Sequence, residues 1–142
     1  MLTRNLINWD SITETKEYIY NQIPEIISFI VEQPFSEVNE RFDLCYCVEE
    51  IDFSGLTLLY LGIIGGASLA MGLKFAGTGN QKAKKLIIDE ISNLKKIKIL
   101  KNDFAIDKNN KGAIDSYNLF NLFCVHLLSL SLIMAGTCDI EC

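Results

Sequence analysis

Few side chains in this 142-residue chain have the type and spacing that chemistry needs. His126 is the single histidine and sits among Val125, Leu127 and Leu128, with no Ser, Cys or Asp at triad-like or metal-ligand spacing. Cys124, two residues away, falls on nearly the opposite side of a helix. A histidine satisfied between helices therefore accounts for it better than a general base. The stretch "GTGNQK" at residues 77–82 invites a phosphate loop, because glycine amides at a helix start beside a lysine can hold an anion. It lacks the third glycine of a dinucleotide site, where Lys82 stands, and the Gly-Lys-Ser/Thr of a P-loop, and it follows a long apolar run instead of a strand. A turn between two helices is the better reading, and a small nucleotide-binding protein the weaker rival.

The five cysteines (Cys45, Cys47, Cys124, Cys138, Cys142) make no even disulfide framework, so a reducing, intracellular setting is expected. A zinc site built on Cys45 and Cys47 with the terminal cysteines has neither the CxxC nor the HxxxH spacing, and Glu49, Glu50 and Asp52 suit a solvated acidic edge. No catalytic residue, cofactor site or metal site is expected. Thirteen basic against eighteen acidic residues, a net charge of −5, argue against a nucleic-acid partner held by counterion release. The charge is uneven: residues 1–53 hold eleven acids and three bases, residues 74–115 five acids and ten bases.

The elements that would position these residues are helical. Ser11 followed by Glu14 has the form of a capping box opening a helix that Pro24 stops, a second short helix is expected over residues 25–32, and residues 36–53 admit a loop, a strand or a short helix. Long apolar helices are expected over 56–75 and 117–134, each closed by a glycine, Gly77 and Gly136, in a left-handed C-cap. Between them Ala83, Leu86, Ile87, Ile91 and Leu94 recur at helical spacing in a helix near 81–98 that Asn80 caps, and a polar loop is expected over 101–116.

Both apolar helices end in Ala-Gly-Thr. Sliding one onto the other by 59 positions lays Ala76 on Ala135, Gly77 on Gly136 and Thr78 on Thr137, with Leu69 on Leu128 and Leu73 on Leu132. Small residues coincide at Gly65 with Cys124 and at Gly72 with Ser131. At 100° per residue, positions 65, 69, 72, 73 and 76 share one face, which suits close helix approach in stacked repeats. A rival reading takes the uncharged residues 54–73 and 116–138 as two membrane spans joined by a basic cytoplasmic loop, with Gly62 and Gly66 as a GxxxG pair. The many Gly, Ser and Asn residues, together with His126, make both spans weakly apolar for lipid.

"GGASLAMGLKFAGTGN" at 65–80 and "LLSLSLIMAGTCD" at 127–139 resemble the proteasome/cyclosome repeat of the large scaffold subunit of the anaphase-promoting complex, and "TKEYIYNQIPEII" at 15–27 is similar to the tract preceding those repeats. The resemblance implies an all-α solenoid of helical hairpins, part of a closed toroid. Residues 1–53 would form short helices and a connecting loop, and residues 54–142 two repeats, the second incomplete. It places Gly65, Gly66, Gly72, Ala76, Gly77 and Thr78 in the first repeat motif and Ala135, Gly136 and Thr137 in the second, as structural positions. The implied role is a non-catalytic part of a ubiquitin ligase that drives cell-cycle proteins to degradation in nucleus and cytoplasm. Its partners would be other subunits of the complex and neighbouring repeats or a second copy, with no cofactor and with a membrane an unexpected partner. A pair of repeats lacks enough stacked neighbours, so an exposed Leu and Phe face near the C-terminus is expected to associate.

Overall fold

The computed structural model describes residues 9–32, 53–104 and 116–137. Among them are five α-helices, a short 3-10 turn at Trp9–Ser11 and no strand. The helices are α1 (Lys16–Tyr20), α2 (Glu25–Glu32), α3 (Phe53–Lys74), α4 (Gln81–Phe104) and α5 (Ser116–Met134).

The N-terminal helix starts later than its sequence suggests. Thr15, not Ser11, is the N-cap: its backbone is extended and its hydroxyl oxygen accepts the Tyr18 N–H at 3.2 Å. This start places Tyr18 and Ile19 in the core beside Ile12, whereas a helix begun at Ser11 would carry Ile12 into its first turn; burial of the three apolar side chains decides the phase. The chain turns at residues 21–23, and the Pro24 carbonyl accepts the N–H groups of Ile27 and Ser28 to open α2. Lys74 ties the start of this segment to the end of α3, donating to the Trp9 carbonyl at 2.9 Å.

Helix α3 is the centre of the molecule. It is apolar on every side, and Leu61, Ile63, Ile64, Ala67, Ala70 and Met71 are all buried. Helices α1 and α2 cover one part of it and α5 another, while α4 packs chiefly on α5 and touches α3 less. Ala83, Ile87, Ile91 and Leu94 form the buried stripe of α4. Residues 90–94 of α4 lie beside residues 60–64 of α3, so α4 runs back along α3. Its last turns, residues 101–104, occupy positions that the polar composition assigns to a loop, and Asn80 caps its start by accepting the N–H groups of Lys82 and Ala83.

Helices α3 and α5 run side by side in the same direction. A side chain added at Gly65 would meet Leu122 and His126, one at Gly72 would meet Ser129, and one at Gly79 would meet Thr137, so contacts advance along both helices together. Direct parallel contact requires the chain to return through α4, as in a helical hairpin followed by the first helix of the next. Helices α3, α4 and α5 make one hairpin and one further helix, and the described residues are all-α with no closed solenoid or toroid among them.

Candidate functional site

The two Ala-Gly-Thr turns lie together at one end of the helix pair, and their conformations match residue for residue. Gly77 has φ 69° and Gly136 has φ 74°, both left-handed, where an L side chain is strained. The Thr78 hydroxyl donates to the Phe75 carbonyl at 2.7 Å, and the Thr137 hydroxyl donates to the Met134 carbonyl at 2.8 Å. The Thr78 and Thr137 N–H groups return to the same two carbonyls at 3.1 Å each. Every one of these bonds maps onto its counterpart by the shift of 59, so the repeated letters encode one turn twice.

The turns differ in what they touch. The Gly77 N–H donates to the Leu132 carbonyl at 2.9 Å and the Gly79 N–H to the Ile133 carbonyl at 3.0 Å. The first turn thus donates to two of the last four carbonyls of α5, Leu132, which also accepts the Ala135 N–H at 3.3 Å, and Ile133. Those two amides and the Lys82 and Ala83 amides held by Asn80 are all taken, so neither glycine amide is free to hold a phosphate at residues 77–82. In the second turn, no hydrogen bond to the Gly136 N–H occurs among the described residues, and a side chain at Gly136 would meet nothing within 4 Å.

Upstream, the motif residues part company. Gly65 and Gly72 are buried against α5, and at Gly72 the backbone of Ser129 stands where a Cβ would go. Gly66 is half-buried, while Ala76 and Ala135 are exposed and take no part in the close approach. Gly62, the other half of the GxxxG pair, faces open space, so the contact runs through residues seven apart, not four. Helices α3 and α5 are both long and apolar enough to cross a membrane; α3, however, is more than half buried by its neighbours, while only a small part of α5 is buried and one side of it is exposed.

That exposure is confined to one stripe. Tyr117, Phe120, Asn121, Cys124, Leu127, Leu128, Ser131 and Ala135 are exposed, and at 100° per residue they fall within about 60° of Cys124. Moved back by 59, Cys124 and Ser131 become Gly65 and Gly72, the residues through which α3 receives α5. The outer face of α5 therefore repeats the small-residue positions of the inner contact, flanked by large apolar side chains. Composition hinted at this face, but nothing in the sequence shows which of two similar apolar helices is covered on all sides.

His126 is buried in the same contact. Its Nδ1 lies 2.7 Å from the Leu122 carbonyl, which can only accept, so Nδ1 carries the proton and the buried Nε2 has no partner among the described residues. The expected interhelical bond is thus replaced by one within α5. Desolvation lowers the His126 pKa, opposed by the Leu122 hydrogen bond and the charge of Glu90. The unfolded chain binds a proton at His126 below about pH 6.5 that the folded chain resists, so stability should fall as pH drops through the window beneath that value, by at most about 1.4 kcal/mol per pH unit. Urea midpoints at pH 7 and pH 5.5 check this, and His126→Gln should flatten that part of the slope.

Cys45, Cys47, Glu49, Glu50 and Asp52 lie outside the described residues, as do Cys138 and Cys142. Among the described residues no three His, Cys, Asp or Glu side chains gather as a metal site. The features assembled here define a helical packing module, in which paired turns and small-residue faces set helices beside one another. The chain belongs to the APC1 fifth-domain family, whose model matches residues 1–142. It is similar to anaphase-promoting complex subunit 1 of Arabidopsis thaliana (28% identity, covering 99% of this chain and 8% of that protein) and of Dictyostelium discoideum (30%, covering 99% and 7%). The mouse subunit 1 is 30% identical, with 99% of this chain and 6% of that protein covered. The chain thus spans less than a tenth of the length of these relatives. No solved structure matches it.

Proposed function

We propose that this chain is a non-catalytic, load-distributing stretch of an anaphase-promoting complex scaffold, an intracellular protein of nucleus and cytoplasm. Its helical hairpins would stack as proteasome/cyclosome-type repeats within a solenoid and thereby hold partner subunits of the ubiquitin ligase in place. The observation that carries this reading is the repetition of the contact face. The small residues that admit α5 onto α3 recur, exposed, on the outer side of α5, beside a turn whose glycine N–H makes, among the described residues, no bond like the one that Gly77 makes in the first repeat. A further parallel helix in the same register would cover Cys124 and Ser131 and accept the Gly136 N–H. Gly65, Gly66, Gly72, Ala76, Gly77 and Thr78, with Ala135, Gly136 and Thr137, are in this reading the positions that set the repeat geometry.

The test is purification of a tagged copy from a detergent-free lysate of its own organism, wild type beside Cys124→Arg. Arginine at an exposed position leaves the chain folded but fills the space a neighbouring helix needs. Wild type should recover other subunits of the ligase and Cys124→Arg should recover few or none at an unchanged melting temperature. Equal recovery by both would overturn the stacking face, and loss of the wild type to the membrane pellet would favour the two-span reading.

A further inference from the structure

On the side away from the α5 stripe, Glu90 of α4 is only 3% exposed. Among the described residues the only hydrogen bonds to its carboxylate come from one group, the Tyr20 hydroxyl, at 3.3 Å to each oxygen. A single proton shared over two long contacts satisfies a small part of what a buried carboxylate can accept. Beside it opens a cavity of about 270 Å³, lined by Tyr20, Tyr60, Leu61, Ile64, Asn93 and Leu94 with Glu90. No residue of α5 lines it, so its occupant would be distinct from a stacked repeat.

We propose that this pocket receives one arginine side chain from a partner polypeptide. The charge at its base calls for a cation, and the apolar side chains of Leu61, Ile64 and Leu94 suit an aliphatic stem. The planar guanidinium fork can reach both carboxylate oxygens at once. The Asn93 amide oxygen can take a further N–H. A metal ion would find one carboxylate and no second charged ligand among the lining residues, and the volume is below that of pockets built for larger organic ligands.

The test uses the whole chain and N-acetyl-arginine methylamide, with its neutral isostere N-acetyl-citrulline methylamide as the control, followed by two-dimensional NMR. The arginine probe should shift the Asn93 side-chain amide and the Tyr20 and Tyr60 ring signals in a saturable manner; citrulline should not. Glu90→Gln should weaken the arginine probe about tenfold or more. Tyr20→Phe, which removes the one donor that the carboxylate has among the described residues, should bind at least as tightly as wild type, and keeps the test decisive where Glu90→Gln fails to fold. Absence of saturable shifts, equal response to citrulline, undiminished binding by folded Glu90→Gln, or a lysine of this chain already hydrogen-bonded to Glu90 would each overturn the proposal.

Discussion

Gly72→Leu should destabilise the chain by about 3 kcal/mol or more, and Gly72→Ala by roughly 1–3 kcal/mol. A Cβ at residue 72 would stand 2.7 Å from the Ser129 Cα and 2.9 Å from its carbonyl oxygen, both backbone atoms. Rotation of a side chain cannot relieve that contact; α5 itself must move, against the bonds from Gly77 and Gly79 that hold its end. Alanine is otherwise the better helix former by about 1 kcal/mol, a gain that this backbone collision exceeds. At Gly62, which has nothing within 4 Å, the gain is unopposed, and Gly62→Ala should stabilise by about 0.5–1 kcal/mol. Gly65 lies between them, because its nearest neighbour is the movable end of Leu122 at 3.3 Å. Urea unfolding of the three alanine variants checks the order, and equal stability of Gly72→Ala and Gly62→Ala would remove the close approach.

Ile133→Ala should cost about 2–5 kcal/mol, whereas Leu128→Ala, five residues away on the same helix, should change the stability of the chain by no more than about 0.5 kcal/mol. Ile133 is fully buried, so truncation leaves a cavity that the surrounding helices cannot fill without separating. Leu128 is 51% exposed on the outer stripe and leaves no cavity. The same Leu128→Ala change should matter in the assembled scaffold, where the proposed neighbouring repeat covers that stripe. Thermal melts of the chain alone, paired with subunit recovery for each variant, separate a residue that holds the fold from one that serves the contact. If Leu128→Ala melts as low as Ile133→Ala, the face is part of the core and the stacking proposal loses its surface.

Much of the helical layout was legible before any coordinates. The spacing of Ala83, Ile87, Ile91 and Leu94 matches the buried stripe of α4, and Asn80, Gly77 and Gly136 end or begin helices as their residue types suggest. Local signals of this kind are readable because a cap or a left-handed glycine depends on a few neighbouring residues. The errors have the same root. Ser11 and Glu14 form a good capping pattern, yet the helix starts at Lys16, because burying Ile12, Tyr18 and Ile19 together outweighs a cap that Thr15 can also supply. Residues 101–104, three of them polar, continue α4, so composition misplaced that boundary as well.

The sequence by itself determined that this is a helical chain with a turn written twice, and that its few reactive side chains make no recognisable active site. Tertiary structure decided the rest. Gly77 and Gly136 share a conformation, but only packing joins the first to the end of α5, while among the described residues the second meets no such partner. Gly62, Gly65 and Gly72 are identical in type, and only the crossing of two backbones makes one of them indispensable. Nor does anything near Glu90 in the sequence announce a buried carboxylate beside a cavity, since Tyr20, seventy residues earlier, supplies its hydrogen. Helix ends are set by short-range hydrogen bonding and backbone sterics, which a sequence displays, whereas the fate of a face depends on which distant element covers it.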